Sequence, residues 1–321
     1  MKSLYLECYS GISGDMTVGA LLDLGADQEV LGKVLASLPV HGFQTEITRV
    51  KKSALDACDF LVKLDADHEN HDHDMDYLYG HSHEHDHTHE DGHGDAHMHD
   101  HHHDHEHDHE HMHDHHHSHD HEDHHNADAD HSHIYDDHDY HDSDHHHHHE
   151  HRGMKEIMEI LAKAEMTDGA RRLAERIFTI LGEAEAKAHG TTLDQVHFHE
   201  VGAIDSIVDI VSAAVCFDNL GIDNVIVPFL SEGSGTIRCQ HGILPIPVPA
   251  VANIVSANHL KLRMTGARGE YVTPTGAAIA AAVQTSETLP EKFEIVKIGL
   301  GAGKREQELP GILRAMILEA E

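Results

Sequence analysis

The chain has 321 residues, with 58 Asp+Glu against 22 Lys+Arg, 42 His and a formal charge of -36. An acid excess of this size argues against a nucleic-acid binder, because phosphate recognition needs a basic footprint and this field would repel the backbone. No run approaches the roughly 18 uncharged apolar residues of a membrane span, since Asp209 interrupts Ile207 to Phe217, and Glu7 sits where a secretory leader needs continuous apolar residues.

In chain order, Leu4-Tyr5-Leu6 reads as a short strand and Ser10-Gly-Ile-Ser-Gly14 as a turn, with Asp15 as N-cap of an amphipathic helix ending near Gly25. A second helix is expected from Asp27 to Leu38, and Gln44 to Val50 and Asp59 to Leu64 alternate like paired strands. From His68 to His151 the composition changes: 36 His and 26 Asp+Glu, with no Lys or Arg. So few aliphatic residues cannot offset the entropy of ordering a backbone, so this block is expected to be a disordered insertion. Regular structure is expected to resume at Arg152, with helices over Met154 to Ala164, Asp168 to His189 and Ile204 to Leu220. There follow a strand at Val225 to Phe229, a glycine-punctuated hairpin over Glu232 to Leu244 and helices at Pro249 to Ala257 and Thr273 to Val283. Strands at Phe293 to Ile298 and Ile312 to Leu318 close the pattern. The fold class is α/β (mixed α+β), with a core formed by residues 1–67 and 152–321 around the insertion 68–151; the sheet order is not readable from these patterns.

The insertion is a metal-binding composition. Imidazole suits divalent nickel, zinc, copper and cobalt, and His-x-His repeats on a flexible chain wrap such ions without a prebuilt cage. The densest ligand runs are His101, His102 and His103; His115, His116 and His117; and His145, His146, His147, His148 and His149. The four cysteines, Cys8, Cys58, Cys216 and Cys239, form no C-x-x-C pair and read as reduced thiols of a cytoplasmic protein.

In the folded part, Val196-His-Phe-His-Glu-Val-Gly-Ala-Ile-Asp-Ser-Ile-Val-Asp209 gathers two imidazoles and three carboxylates. In a strand His197 and His199 share a face and Glu200 takes the other, while Asp205 and Asp209 share a helix face. Such a group serves as a metal or acid/base centre, or else Asp205 simply caps its helix. Ser10 to Asp15 joins a strand to a helix, where backbone N–H groups hold a phosphate; the carboxylate of Asp15 makes a metal, a cationic ring or plain capping equally acceptable. Gly269-Glu-Tyr-Val-Thr-Pro-Thr-Gly-Ala277 reads as a turn, an N-cap Thr273 and Pro at the first helical position. Leu244-Pro-Ile-Pro-Val-Pro-Ala250 is a rigid lead into a helix, and Gly299-Leu-Gly-Ala-Gly-Lys304 is a weak likeness of a phosphate nest without Walker A spacing.

Taken in order, Tyr9-Ser-Gly-Ile-Ser-Gly-Asp-Met16, the histidine-rich insertion, His197-Phe-His-Glu-Val-Gly-Ala-Ile-Asp205, Leu244-Pro-Ile-Pro-Val-Pro249, Gly269-Glu-Tyr-Val-Thr-Pro-Thr-Gly276 and Gly299-Leu-Gly-Ala-Gly303 resemble the LarC family of nickel-insertion proteins. The resemblance implies a cyclometallase acting on pyridinium-3,5-bisthiocarboxylic acid mononucleotide. Its product is the nickel-pincer cofactor of lactate racemase, with Ni(II) held by two sulfurs and one ring carbon. For that reaction His197 or His199 is the candidate metal relay, His199, Glu200 and Asp205 are the candidate catalytic group, with Glu200 or Asp205 accepting the C4 proton, and Ser13, Gly14, Asp15, Glu270, Thr273 and Thr275 are candidate contacts to the nucleotide. The family's use of CTP with a divalent cation is placed in a further C-terminal domain that this sequence is expected to lack. Expected partners are a separate C-terminal chain, the sulfur-insertion enzyme and the client racemase; a homo-oligomer is expected, and neither nucleic acid nor membrane. The competing class is a non-catalytic nickel or zinc store or metallochaperone. A metal-dependent hydrolase built on His197, His199 and Glu200 is the third.

Overall fold

The computed structural model describes residues 2–65, 75–79, 152–198, 204–239 and 241–320. Five consecutive buried residues make β1 (Lys2–Glu7) a central strand, and the small-residue run behind it forms α1 (Gly14–Asp23). The helix α2 (Gln28–Ser37) is capped by Asp27, whose carboxylate accepts from the N–H groups of Glu29 and Val30. The alternating segments become the hairpin β2 (Phe43–Lys52) and β3 (Leu55–Leu64). Within the block expected to be without structure, Met75–Tyr79 forms the short helix α3, because Leu78 is buried in the core and Tyr77 and Tyr79 pack against it. The remainder of residues 68–151 lies outside the described residues, and with it the expectation of disorder.

Beyond the insertion the order is β4 (Arg152–Gly153), α4 (Met154–Lys163), α5 (Asp168–His189), β5 (His197–Phe198), α6 (Ile204–Leu220) and β6 (Val225–Ile226). Then come β7 (Leu230–Ser234), β8 (Thr236–Cys239), β9 (Gly242–Pro245), α7 (Pro249–Ala257), β10 (Leu262–Arg268), α8 (Pro274–Val283), β11 (Phe293–Ala302) and β12 (Ile312–Ala320). The strand expected to reach Phe229 stops at Ile226, two residues before Pro228, which has no N–H to give a ladder. The hairpin expected over Glu232 to Leu244 divides: β7 pairs in parallel with β10, a strand the sequence reading missed, and only β8 and β9 form the hairpin.

The main sheet has six strands in the order β2-β3-β11-β12-β1-β6. The two ends of the chain meet at its centre, where β1 runs antiparallel to β12 from Lys2 opposite Glu319 to Glu7 opposite Arg314. The strands β11 and β3 are parallel, joined through Gly301 opposite Cys58. One sheet face receives α1, and α6 packs against both α1 and β3. Apolar on nearly every face, α6 is covered by α1, α2, α5 and α8.

The seat of α1 explains the run Gly299 to Gly303. A Cβ on Gly301 would overlap the carbonyl oxygen of Met16, and one on Gly299 the carbonyl of Ala20, so the helix backbone rests directly on the strand. The run is therefore strand and helix seat, which corrects the reading of a phosphate nest.

Gly301→Ala is expected to destabilise the protein by about 2 kcal/mol or more through overpacking. The exposed Gly32→Ala in α2, with nothing within 4 Å of the added methyl, is expected to stabilise by about 0.5–1 kcal/mol. Denaturant unfolding of the two variants checks the contrast.

Candidate functional site

Two loops lie side by side above the sheet. Cys8 to Ser13 follows β1, and Gly269 to Thr273 precedes α8; the N–H of Ile12 donates to the Tyr271 carbonyl at 2.9 Å and that of Thr273 to the Ile12 carbonyl at 3.1 Å. Gly11 has φ +87°, and a side chain there would overlap the Tyr271 backbone. The consequence is that two helix N-termini, capped by Ser13 and Thr273, open into one cleft. Thr273 caps through its Oγ1, which accepts from Gly276, as the sequence indicates. Asp15, expected as the N-cap of α1, is instead in its first turn; Ser13 takes the cap position without a side-chain cap bond.

One side of the cleft is acidic. Asp15 is buried, with Oδ1 accepting from the N–H of Met16 at 2.8 Å and from the Ser13 hydroxyl. From α6, Asp209 accepts from the backbone N–H of Asp15. Gly14 makes that approach possible, because a Cβ there would collide with the Asp209 carboxylate. Burial, then the charges of Asp15 and Asp205, hold the Asp209 carboxyl well above the usual carboxylate range. Its Oδ1 is buried with no hydrogen-bond partner among the described residues. Asp205 and Asp209 share a helix face as their spacing predicts, and through Asp209 the α6 carboxylates join Asp15.

The same cleft carries two cations, each held in an ion pair. Lys304 pairs with Asp59, and Arg305 with Glu270, which is itself buried. Tyr79 and Gln307 adjoin Glu270: the N–H of Glu270 donates to the Tyr79 hydroxyl at 3.1 Å, and Gln307 Nε2 donates to the same oxygen at 2.8 Å and to the Glu270 carbonyl at 3.1 Å.

Beneath the second loop lies Glu232 of β7, which has no exposed surface. Its Oε1 accepts from three backbone N–H groups, Tyr271 at 2.7 Å, Gly233 at 2.8 Å and Val272 at 3.3 Å, while Oε2 is buried without a partner among the described residues. Burial outweighs those bonds and pushes its carboxyl up to about 7, with Glu270 adding to the rise.

Of the residues assigned from sequence, Ser13, Asp15, Glu270 and Thr273 line the cleft. Gly14 and Thr275 do not; Gly14 is buried where Asp209 passes, and Thr275 is buried in the first turn of α8. Only the backbone of His197 is described, opposite Gly153. His199 and Glu200 lie outside the described residues, as do all the ligands assigned within the insertion (His101 to His103, His115 to His117, His145 to His149). Sequence reading missed Asp59, Tyr79, Glu232 and Arg305. For Glu232 a signal existed, since it is the one charged residue of the strand Leu-Ser-Glu-Gly-Ser.

Comparison with known sequences bears on what this cleft serves. The pattern of the family described as nickel insertion protein matches residues 4–321. The chain belongs to the nickel insertion protein family. It is 46% identical over 318 residues to the pyridinium-3,5-bisthiocarboxylic acid mononucleotide nickel insertion protein of Alkaliphilus metalliredigens (strain QYMF), covering 99% of this chain and 61% of that protein. The proteins of the same name from Akkermansia muciniphila and Acetivibrio thermocellus are 34% and 30% identical, each over 323 residues, 100% of this chain and 61% of theirs. This member of the nickel insertion protein family thus spans about six-tenths of the length of the curated relatives it matches. No solved structure matches it. Among its described residues no helix is long and apolar enough to cross a membrane.

Glu232 generates a pH prediction. Its folded value, about 7 against an ordinary 4.5, means that the native state keeps a proton that the unfolded chain releases between those values. Its contribution to stability therefore falls as pH rises from about 4.5 to 7, by roughly 3 kcal/mol at most, and is level above that. Glu232→Gln is expected to lack this loss, so that the difference in unfolding free energy between variant and parent grows in the variant's favour across the window. Urea melts at pH 5, 6 and 7.5 measure it.

Proposed function

We propose that this chain takes part in inserting nickel into pyridinium-3,5-bisthiocarboxylic acid mononucleotide, forming the nickel-pincer cofactor of lactate racemase-type enzymes. The observation that supports this reading is a cleft that holds both signs of charge, Asp15 backed by Asp209 and Asp205 together with Lys304 and Arg305. The substrate carries a phosphate and two thiocarboxylates and must meet a divalent cation, so a site for it has to accept both signs of charge within one molecule's length. Lys304, Arg305 and the cap of α8 at Thr273 suit the anionic phosphate; Asp15 suits the arriving ion.

Forming the carbon–nickel bond removes the proton from ring C4. Asp209, whose carboxyl burial holds well above the usual range, is enclosed behind the loop; Asp15, bordering the cleft, is the better-placed base, with Asp205 behind it. His197, His199 and Glu200 enter this reading as the relay that hands nickel from the insertion to the cleft. Thiocarboxylate sulfur, a softer ligand than imidazole, draws the ion onward. The histidine runs of the insertion are the reservoir, and because imidazole ligates only when neutral, their capacity falls between about pH 7 and 5.5. CTP with a divalent cation acts through the portion by which the relatives exceed this chain. The surrounding reactions are a sulfur insertion that supplies the substrate and a racemase that consumes the product, all in the cytoplasm, with the chain as a homo-oligomer.

The test is incubation of the full chain with the bisthiocarboxylate nucleotide and Ni(II), with and without CTP and the remainder of a longer relative, followed by mass detection of the nickelated product. Asp15→Asn is expected to lower product formation at least a hundredfold with cooperative unfolding and bulk nickel content retained. Replacing residues 82–150 by a short Gly/Ser linker is expected to remove most bound nickel yet preserve insertion at saturating Ni(II). No nickelated product from the parent under any of these conditions makes the chain a nickel store instead, and full activity of Asp15→Asn removes Asp15 from the site.

A further inference from the structure

Six histidines lie outside the insertion, and two of them, distant in sequence, meet beside the one cysteine that is not buried. In the hairpin β8–β9 Cys239 stands opposite Gly242, so that Cys239 and His241 both lie at its tip. Cys239 Sγ stands 3.9 Å from His241 Nδ1. The tip meets the last turn of α5, where the ring of His189 lies 4.7 Å from that of His241, centroid to centroid, tilted by 49°. One turn earlier on α5, Glu185 Oε2 is 3.6 Å from His189 Nε2.

We propose that Cys239, His241 and His189 form a binding site for one divalent transition ion of the nickel, cobalt and zinc class, with Glu185 as the positioning residue that orients His189. The site shares no residue with the cleft, and its existence does not depend on the nickel-insertion reading. A thiolate and an imidazole on a tetrahedral ion, at bonds of about 2.3 and 2.05 Å, stand about 3.6 Å apart; the 3.9 Å between Cys239 and His241 closes to that with a small change of rotamer. A carboxylate on the second ring nitrogen is the usual support for a ligating histidine, fixing its tautomer and raising its basicity. Among the described residues no three such side chains already surround one point at bonding distance. Closing the site requires the His189 ring to swing out of its contact with His241, and the third ligand is accordingly the weakest.

The other thiols do not compete. Cys8, Cys58 and Cys216 are buried, and burial pushes the thiols of Cys58 and Cys216 up to about 11 and about 12, so that they stay protonated. Binding at Cys239 releases the thiol proton as the metal–sulfur bond forms. A thiolate in the ligand set distinguishes this site from the imidazole and carboxylate of the insertion, and the set holds one ion.

Thiolate ligation has a signature that the histidine-rich segment cannot give, a sulfur-to-metal charge-transfer band in the near ultraviolet. Titrating the reduced full chain with Co(II) under anaerobic conditions is expected to develop that band with the amplitude of one thiolate. Cys239→Ser is expected to abolish it, and His241→Ala and His189→Ala to weaken binding at this site at least tenfold. Independently, Ni(II) is expected to slow alkylation of Cys239 by iodoacetamide at least fivefold in the parent, read by peptide mass spectrometry, and not in His241→Ala. Absence of the band in the parent, its persistence in Cys239→Ser, or equal alkylation with and without Ni(II) overturns the site. Neither readout involves the nucleotide, so failure here leaves the nickel-insertion reading standing, and loss of that reading leaves this site intact.

Discussion

Direct contact between the backbone of α1 and the glycines of β11 is the constraint on which the cleft depends. Because Gly299 and Gly301 carry no side chains, α1 lies closer to the sheet than an ordinary helix–sheet spacing allows, and its N-terminus is brought level with the loop before α8. The hydrogen bonds from Ile12 to Tyr271 and from Thr273 to Ile12 then hold two helix starts together. Raising α1 by the thickness of a methyl would shift Asp15 relative to Asp209 on one side and Glu270 on the other. Packing of small residues thereby sets the spacing of charges.

Those charges are solved one by one rather than by a shared solvent. Glu7 is buried against Arg314, Glu270 against Arg305, Glu232 against three backbone N–H groups, and Asp209 against the backbone N–H of Asp15. Each answer meets the same cost of removing a carboxylate from water. The two carboxyls that burial pushes upward, Asp209 and Glu232, both lie behind a segment that lines the cleft. The acid excess of the chain as a whole belongs chiefly to the insertion; outside it 32 Asp+Glu face 22 Lys+Arg, and the buried acids there are answered locally.

Local signals carried much of this. The helix limits at Pro249 and Thr273, the cap at Asp27 and the strand hairpin around residue 53 depend on neighbours in sequence, and all were readable there. The pairing of Lys2 with Glu319 and of Cys58 with Gly301 joins residues far apart along the chain, and no periodicity encodes which strands meet. The site divided in the same way. Ser13, Asp15, Glu270 and Thr273 stand in motifs that mark a turn before a helix, whereas Arg305, Asp59 and Tyr79 acquire their role only through distant contacts. Asp209 was visible as a partner of Asp205, but the upward shift of its carboxyl follows from its burial and then from the arrival of Asp15 across the fold.

The short helix α3 ties one turn of residues 68–151 to the cleft. Tyr79, its last residue, is bonded to Glu270 and Gln307. A helix of five residues is too short to hold itself in water, so it persists through the burial of Leu78 and these bonds. The Glu270 and Gln307 contacts therefore open and close with a local unfolding step that costs far less than unfolding the sheet.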